Sequence, residues 1–125
     1  MTRSYYYRLP WPPSVNNYIR RGNNRSYMTQ QGKAFRDAVH DAIDTERPLL
    51  SGRLMVQLEL IPPDKRRRDI DNHVKAVLDS LQHAAVIADD EQIDLLRVRR
   101  LPVESPGACD VTITELTPPD AAERG

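Results

Sequence analysis

Two aspartates, Asp69 and Asp71, are the residues of this chain best placed by type and spacing to do chemistry. If the backbone is extended there, residues i and i+2 point to the same side, so the two carboxylates project together. Neighbouring carboxylates repel each other unless one is protonated or a cation lies between them. Because all the ligand atoms are oxygens, the cation we expect is a hard one, Mg²⁺ or Mn²⁺.

An Asp-x-Asp pair is common by chance, and three known uses of it can be tested against the flanking sequence. An EF-hand loop needs glycine at its sixth position, which is Val74 when counted from Asp69. A phosphoryl-aspartate nucleophile follows an apolar strand, whereas four cations precede Asp69 here. A nucleotide-sugar transferase needs a much longer chain. The remaining interpretation is a metal site bordered by cations, which suits a phosphodiester substrate.

Two further charged segments are candidates for the same site. Lys75 follows Asp71 by four residues, one helical turn, and either contacts a scissile phosphate or belongs to an ion-pair ladder on the helix surface. Of Asp89 and Asp90, at most one faces the Asp-x-Asp pair, because adjacent residues of an extended segment point to opposite sides. The alternative for this segment is a simple polar turn, and spacing alone leaves both choices open.

Net charge is zero, with 18 basic and 18 acidic side chains, but the charges are segregated along the chain. Residues 1–36 hold seven arginines and lysines and no acid, residues 65–68 are all basic, and residues 69–96 carry seven acids and one lysine. Clustered cations are typical of phosphate binding. An acidic block among them would repel a DNA backbone unless a divalent cation neutralises it. The pattern therefore favours a metal-dependent nucleic-acid enzyme over a pure DNA-binding protein.

The composition is that of one globular domain. The chain has 125 residues, 39% apolar and 29% charged, and no apolar run approaches the roughly 18 residues of a membrane span. The N-terminal residues lack the apolar stretch of a secretion signal. Cys109 is the only cysteine, which excludes an internal disulfide and a cysteine-based zinc site. We expect a cytoplasmic protein without a membrane partner, with His40, His73 and His83 as surface or helix residues.

Periodicity and turn residues predict the order β-α-β-α-β-β. We expect strands over 4–9, 53–61, 93–101 and 110–116, a helix over 30–45 capped by Thr29, and a helix capped by Asp71 that runs to about residue 85. Residues 10–28, rich in Pro, Asn and Gly, are expected to form a long loop. The predicted fold class is α+β, a mixed β-sheet of about four strands with two helices packed on one face.

The motifs, taken together, are similar to those of a known family. They are Leu-Pro-Trp-Pro-Pro-Ser at 9–14, Asn-Asn at 16–17, Ala-Phe-Arg-Asp at 34–37, Pro-Asp-Lys-Arg-Arg-Arg-Asp-Ile-Asp-Asn at 63–72, Lys75, Asp79, Leu81 and the Asp pair at 89–90. In this combination the chain resembles the RusA family of Holliday junction resolvases over residues 5–116. The resemblance implies a RusA-like domain over 1–117 and leaves 118–125 as an expected flexible tail.

The resemblance implies a homodimeric endonuclease that binds four-way DNA junctions and resolves them by paired symmetric nicks, in DNA recombination and repair. It implies Mg²⁺ as cofactor, with Mn²⁺ able to substitute. The family's metal-binding aspartates fall on Asp69, Asp71 and Asp90, and its essential lysine on Lys75. The basic residues expected to hold the junction arms through phosphates are Arg20, Arg21 and Arg25, together with Lys65, Arg66, Arg67 and Arg68.

Three other interpretations are compatible with the same residues. The first is a Mg²⁺-dependent nuclease specific for another DNA structure, which cleavage of a four-way junction compared with plain duplex would distinguish. The second is a branched-DNA-binding protein that has lost catalysis, against which the presence of all four family residues argues. The third is a metal-stabilised module, for which a chelator would lower stability while no DNA is cut.

Overall fold

The protein contains six β-strands, three α-helices and two 3-10 turns within the described residues. The computed structural model describes residues 3–43, 47 and 49–116. Its strands are β1 (Ser4–Pro10), β2 (Ile19–Gly22), β3 (Arg25–Met28), β4 (Leu54–Ile61), β5 (Ile93–Arg100) and β6 (Ala108–Glu115). Its helices are α1 (Val15–Tyr18), α2 (Gln30–Ala42) and α3 (Val74–His83), and 3-10 turns at Ile70–His73 and Asp90–Gln92 precede α3 and β5.

The main sheet has four strands in the order β1-β6-β4-β5. β4 pairs parallel with β5 and antiparallel with β6, and β6 pairs antiparallel with β1, so the sheet is mixed. Together with the two main helices, α2 and α3, this confirms the predicted α+β class with a four-stranded mixed sheet.

The core lies between the helices and one face of the sheet. Leu54, Val56, Leu58 and Leu60 of β4 are buried, while the residues between them are only half-buried. The buried residues belong to one cluster that also contains Phe35 and Val39 of α2, Val77 and Leu81 of α3, and Cys109, Val111 and Ile113 of β6. The alternation predicted over 53–61 is confirmed. Every second side chain of β4 is buried in the core, which removes its apolar surface from water. Within the described residues, no helix is long and apolar enough to cross a membrane.

The prediction of a long loop over 10–28 was wrong. This segment contains the short helix α1 and the hairpin of β2 and β3, in which Arg20 pairs with Tyr27 and Arg21 with Ser26. Asn23 and Asn24 form the turn with φ of 48° and 64°. Asparagine tolerates this left-handed region, and the strands of a hairpin require it at a tight turn. Asn23 and Asn24, two of the residues on which the loop prediction rested, are therefore the turn of a hairpin.

The start of α3 also differs from the prediction. Asp71 does not cap α3, because a 3-10 turn over Ile70–His73 comes first and α3 begins at Val74. Asp69 is extended, with φ −93° and ψ 129°, but Asp71 lies inside the turn. The extended geometry assumed for the Asp-x-Asp pair is therefore wrong. The α3 helix ends at His83 rather than near 85, where Ala85 has a positive φ of 60°.

The predicted cap of α2 is confirmed. The Thr29 hydroxyl oxygen accepts a hydrogen bond from the Gly32 amide at 2.9 Å. The hydroxyl itself lies 2.5 Å from the Asn17 carbonyl oxygen, which joins α2 to α1. The helix ends at Ala42, and the predicted end near residue 45 falls outside the described residues.

Gly32 permits the close approach of α2 to the segment that carries the hairpin. A Cβ atom at this position would lie 2.5 Å from the Tyr18 carbonyl oxygen and 3.0 Å from Met28 Cγ. We predict that Gly32→Ala lowers the free energy of unfolding by about 1–3 kcal/mol, because backbone must move to admit the methyl group. Urea denaturation measures this loss. Gly52→Ala is the matched control, since a Cβ at Gly52 meets nothing within 4 Å. Equal stability of the two variants would contradict the prediction.

Candidate nucleic-acid and metal site

The β2–β3 hairpin forms a groove with α3, which we call the hairpin groove. This cavity of about 710 Å³ is lined by Arg20 and Arg21 of β2 and by Lys75 of α3, with Asn17 of α1 among its other residues. Arg25 lies at the turn of the same hairpin, where it shares a further cavity with Arg21. The structure therefore brings Arg20 and Arg21 of the predicted DNA-binding set into one groove with the predicted essential lysine, although more than fifty residues separate them in sequence.

A second cavity, the aspartate cleft, adjoins the hairpin groove. It has a volume of about 630 Å³ and is lined by Trp11, Asn17, Arg66, Arg67, Arg68, Asp69 and Asn72, among others. Because Asn17 borders both cavities, they form neighbouring parts of one surface. Lys65 does not line this cleft but a third, smaller cavity of about 230 Å³, the Trp11 cavity, which also contains Trp11 and Arg68.

Lys75 and Asp90 lie in one electrostatic environment with Asp79. The Lys75 ammonium is 3.8 Å from an Asp79 carboxylate oxygen, which is the i,i+4 pair of the ion-pair interpretation. A hydrogen bond with the Asp89 carboxyl raises the pKa of Asp90 above its ordinary value. Partial burial and the charges of Asp89 and Asp79 raise it further, while Lys75 acts in the opposite direction. The negative charge around Asp90 is thus only partly compensated by the protein itself.

The structure separates the roles of the adjacent residues Asp89 and Asp90. Asp89 caps the 3-10 turn, since its Oδ1 accepts from the Glu91 amide at 2.9 Å. Gln92 completes the capping box with its Oε1, which accepts from the amides of Ala88 at 2.7 Å and Asp89 at 2.9 Å.

Gln92 is a buried anchor that sequence reasoning missed. Its Nε2 donates to the carbonyl oxygens of Leu50 at 2.9 Å and Gly52 at 2.8 Å. The turn that carries Asp90 is therefore tied to the segment before β4. These partners lie about forty residues away in sequence, so no local pattern marks this glutamine as a structural residue.

The oxygen donors suit Mg²⁺, but they are not gathered in advance. Asp69, Asp71 and Asp90 are all exposed. Among the residues that the structure describes, no three Asp, Glu, His or Cys side chains lie close enough to share a metal ion. The carboxylates therefore have the chemistry of a hard-cation site without its assembled geometry.

His73 is a helix residue, as predicted, since it ends the 3-10 turn and precedes α3, but it is buried rather than exposed. Its ring centroid is 4.7 Å from that of Trp11, and its Nδ1 lies 2.9 Å from the Pro12 carbonyl oxygen. Burial lowers the pKa of His73, and the nearby Arg68 lowers it further. Because a carbonyl oxygen can only accept, Nδ1 carries the proton in this contact. The residue links the segment of Trp11 to the turn of Asp71.

Comparison with known proteins identifies the family to which the chain belongs. The family model for Endodeoxyribonuclease RusA matches residues 10–114. The chain belongs to the RusA family. It is 40% identical over 116 residues to the crossover junction endodeoxyribonuclease of Enterobacteria phage 82 and to that of Escherichia coli strain K12, which covers 90% of this chain and 96% of each relative. It is 40% identical over 114 residues to the crossover junction endodeoxyribonuclease of Enterobacteria phage HK97, with 95% of that relative covered.

Membership of the RusA family confirms the resemblance found in the sequence. The matched region contains all four predicted catalytic positions and all seven predicted DNA-binding positions. It does not reach residues 118–125, which also lie outside the described residues, so the expected tail stays a prediction.

The two adjacent aspartates should differ in their effect on stability when no metal is present. We predict that Asp89→Ala lowers the free energy of unfolding by about 1 kcal/mol, because it removes the cap of the turn. Asp90→Asn should leave stability unchanged or raise it, because it removes one of several neighbouring negative charges. Urea denaturation in EDTA measures both. A loss in Asp90→Asn as large as that in Asp89→Ala would show that Asp90 has the structural role instead.

Proposed function

We propose that this protein is a Mg²⁺-dependent structure-specific endodeoxyribonuclease that resolves four-way DNA junctions by paired symmetric nicks, in recombination and repair. The observation that carries the proposal is the hairpin groove, in which Arg20 and Arg21 lie with Lys75 beside the cleft of Asp69. A cationic groove that adjoins a cleft containing Asp69 can bind a phosphate backbone and present one phosphate for cleavage. The relatives named above are crossover junction endodeoxyribonucleases, which supports the choice of substrate.

Binding of the junction arms is assigned to the exposed cations. Arg20, Arg21 and Arg25 project from the hairpin, and Lys65, Arg66 and Arg67 are exposed in the segment before Asp69. Arginines of this kind contact phosphates and release counterions without reading base sequence. A hairpin of two short strands offers these charges at a distance from the core, where they can follow a bent backbone.

Metal binding is assigned to Asp69, Asp71 and Asp90. When bound, Mg²⁺ supplies a Lewis acid for a phosphoryl oxygen and lowers the pKa of an attacking water. A hydrogen bond with Asp89, burial and the charges of Asp89 and Asp79 raise the pKa of Asp90, and a cluster of acids of this kind favours a bound cation. Exposure of all three side chains leaves them free to turn toward a common ligand.

Lys75 is assigned the role of charge compensation during the reaction. Its ammonium lies 3.8 Å from an Asp79 carboxylate oxygen, and its charge acts on Asp90. Negative charge grows on the phosphoryl oxygens as the phosphodiester is attacked, so a fixed cation there stabilises the transition state more than the bound substrate. The surface ion pair and the catalytic role are therefore compatible in this arrangement.

We also propose that the working unit is a homodimer in the cytoplasm. One chain has one such groove and can make one nick, whereas resolution needs two nicks related by the symmetry of the junction. The single cysteine, Cys109, has no partner for an internal disulfide, which supports the reducing compartment.

A second candidate function is a junction-binding protein without cleavage. The observation that favours it is the separation of the three carboxylates among the described residues. A labelled four-way junction, incubated with and without Mg²⁺ and analysed at nucleotide resolution, separates the two candidates. Paired nicks at symmetric positions support the first, cleavage of plain duplex at the same rate indicates a general nuclease, and binding without cleavage supports the second.

Lys75→Ala should lose cleavage far more than binding. We expect the single-turnover rate to fall by about 10²–10³-fold, as for loss of one transition-state contact, with junction affinity within about threefold of wild type. Lys33→Ala removes an exposed lysine of α2 and is the matched control. Near wild-type nicking by Lys75→Ala would mean that the pair with Asp79 is only a surface contact.

Removal of the two groove arginines should change the salt dependence of binding. Each neutralised phosphate contributes about −0.9 to the slope of log K against log salt concentration, so Arg20→Ala with Arg21→Ala should flatten that slope by about one to two. The measurement is fluorescence anisotropy of a labelled junction in EDTA between low and moderate salt. The double variant of Arg3 and Lys33 removes the same charge from exposed positions elsewhere and is the control. An unchanged slope in the groove variant excludes phosphate contacts by this hairpin.

A further inference from the structure

The Trp11 cavity has a composition that the binding of phosphates does not explain. It lies where the parallel strands β4 and β5 end, since Leu60 and Arg100 pair there and both line it. Its apolar wall includes Trp11 and Ile70, and its charged residues include Lys65 and Arg66. A site for phosphate alone needs only the charges, and a site for a metal ion would not be lined by four cations.

We propose that the Trp11 cavity receives one unstacked nucleobase of the DNA strand that is cut, next to the scissile phosphate. This inference rests on the proposed function, because it requires DNA to lie across the aspartate cleft. Ile70, which lines the cavity, is the residue between Asp69 and Asp71. Trp11, Arg66, Arg68 and His73 line both the cavity and the aspartate cleft, so the two spaces share one wall.

The wall of the cavity is held in place by contacts of its own. The Arg68 guanidinium carbon lies 5.4 Å from the centroid of the Trp11 ring, and the His73 ring is 4.7 Å from it at an angle of 48°. Arg68 also forms an ion pair with Asp64 at 2.8 Å, and its carbonyl oxygen accepts from Arg100 at 2.6 Å. A preorganised wall of this kind avoids the entropy loss of ordering side chains upon binding.

The charges at the cavity divide into two kinds. Arg68 is only 18% exposed and is already paired, so it acts as part of the wall. The Arg66 side chain is 83% exposed and its ion pair with Asp64 is long, at 3.8 Å; Lys65 is exposed as well, so these two can hold the phosphates on either side of a base. An aromatic and aliphatic interior with cations at its edge matches a nucleotide, which has an apolar ring face and an anionic backbone.

The cavity of about 230 Å³ suits one base rather than a base pair. An enzyme that binds a single base of duplex DNA must first unpair and unstack that base. The free-energy cost of this step is smallest where base pairing is already interrupted. The exchange point of a four-way junction is such a place. The cavity would therefore favour branched DNA over continuous duplex, in addition to the arginines that hold the arms.

The test uses Trp11 itself, because it is the single tryptophan of the chain. Tryptophan fluorescence is followed as a four-way junction is titrated with Ca²⁺ in place of Mg²⁺. We expect the junction to change the emission by at least about 30%, because a base stacked against the cavity wall alters the surroundings of the indole. A free deoxynucleoside monophosphate at the same nucleotide concentration should leave it unchanged.

The position of the base is found with abasic substitutions. A single abasic residue is placed at each nucleotide around the cut, and single-turnover cleavage in Mg²⁺ is measured. At one position beside the scissile phosphate we expect cleavage to fall by about tenfold or more, as for loss of one stacked base, with affinity within about threefold. The fluorescence change should disappear with the same abasic junction.

A side chain that fills the cavity should remove the dependence of the cleavage rate on the presence of that base. Val103 is 43% exposed and lines the cavity, so Val103→Phe can fill it without disturbing the core. Leu49→Phe, at a position 50% exposed outside the cavity lining, is the control. We expect Val103→Phe to cut the intact and the abasic junction at equal rates, and Leu49→Phe to behave as wild type.

The outcomes separate this inference from the proposed function. Junction cleavage that is indifferent to every abasic position, or that stays sensitive in Val103→Phe, overturns the base-binding cavity and leaves the nuclease standing. A fluorescence change caused equally by the free mononucleotide overturns it in favour of a small-molecule nucleotide site. Absence of any cleavage removes the proposed function, while an emission change that depends on one base still supports the cavity.

Discussion

The contact of Trp11 with His73 and Arg68 is the interaction on which the arrangement of this site depends. It joins the segment that follows β1 to the turn that carries Asp71. Pro12 and His73, which are in contact across these segments, are sixty-one residues apart in sequence. The Trp11 ring contacts a cation at 5.4 Å and an imidazole ring at 4.7 Å, and both contacts are of attractive kinds. The hydrogen bond between His73 Nδ1 and the Pro12 carbonyl oxygen acts at the same place, so both contacts hold residues 65–73 against the segment that follows β1.

Charge in this protein is organised by which cations are already paired. Arg53 binds Glu91 and Asp94, Arg99 binds Glu59, and Arg68 binds Asp64. These pairs connect β5 and the basic segment to their neighbours. They also neutralise cations that would otherwise attract DNA phosphates. The cations of the hairpin and of residues 65–67 stay largely exposed. A net charge of zero is therefore compatible with a locally cationic surface, because the acids are concentrated elsewhere.

The distribution of the carboxylates has a physical reason of its own. Three aspartates held within coordination distance of one point repel one another when no cation is present. The described residues avoid that arrangement, and even so the pKa of Asp90 is raised by its neighbours Asp89 and Asp79. Separate exposed carboxylates keep the metal-free protein stable, and they make assembly of the proposed metal site depend on the cation and the DNA that it serves.

The sequence by itself determined the α+β class, the alternating strand β4, the cap of α2 at Thr29 and the family, because these depend on local periodicity or on motifs. Only the tertiary structure decided that residues 19–28 form a hairpin beside Lys75, that His73 is buried against Trp11 and that Gln92 anchors the turn of Asp90. Each of these depends on partners forty or more residues away, or on a turn whose asparagines also suit an open loop. A local pattern records which conformations a segment tolerates, whereas the contacts that select one of them come from packing distant segments together.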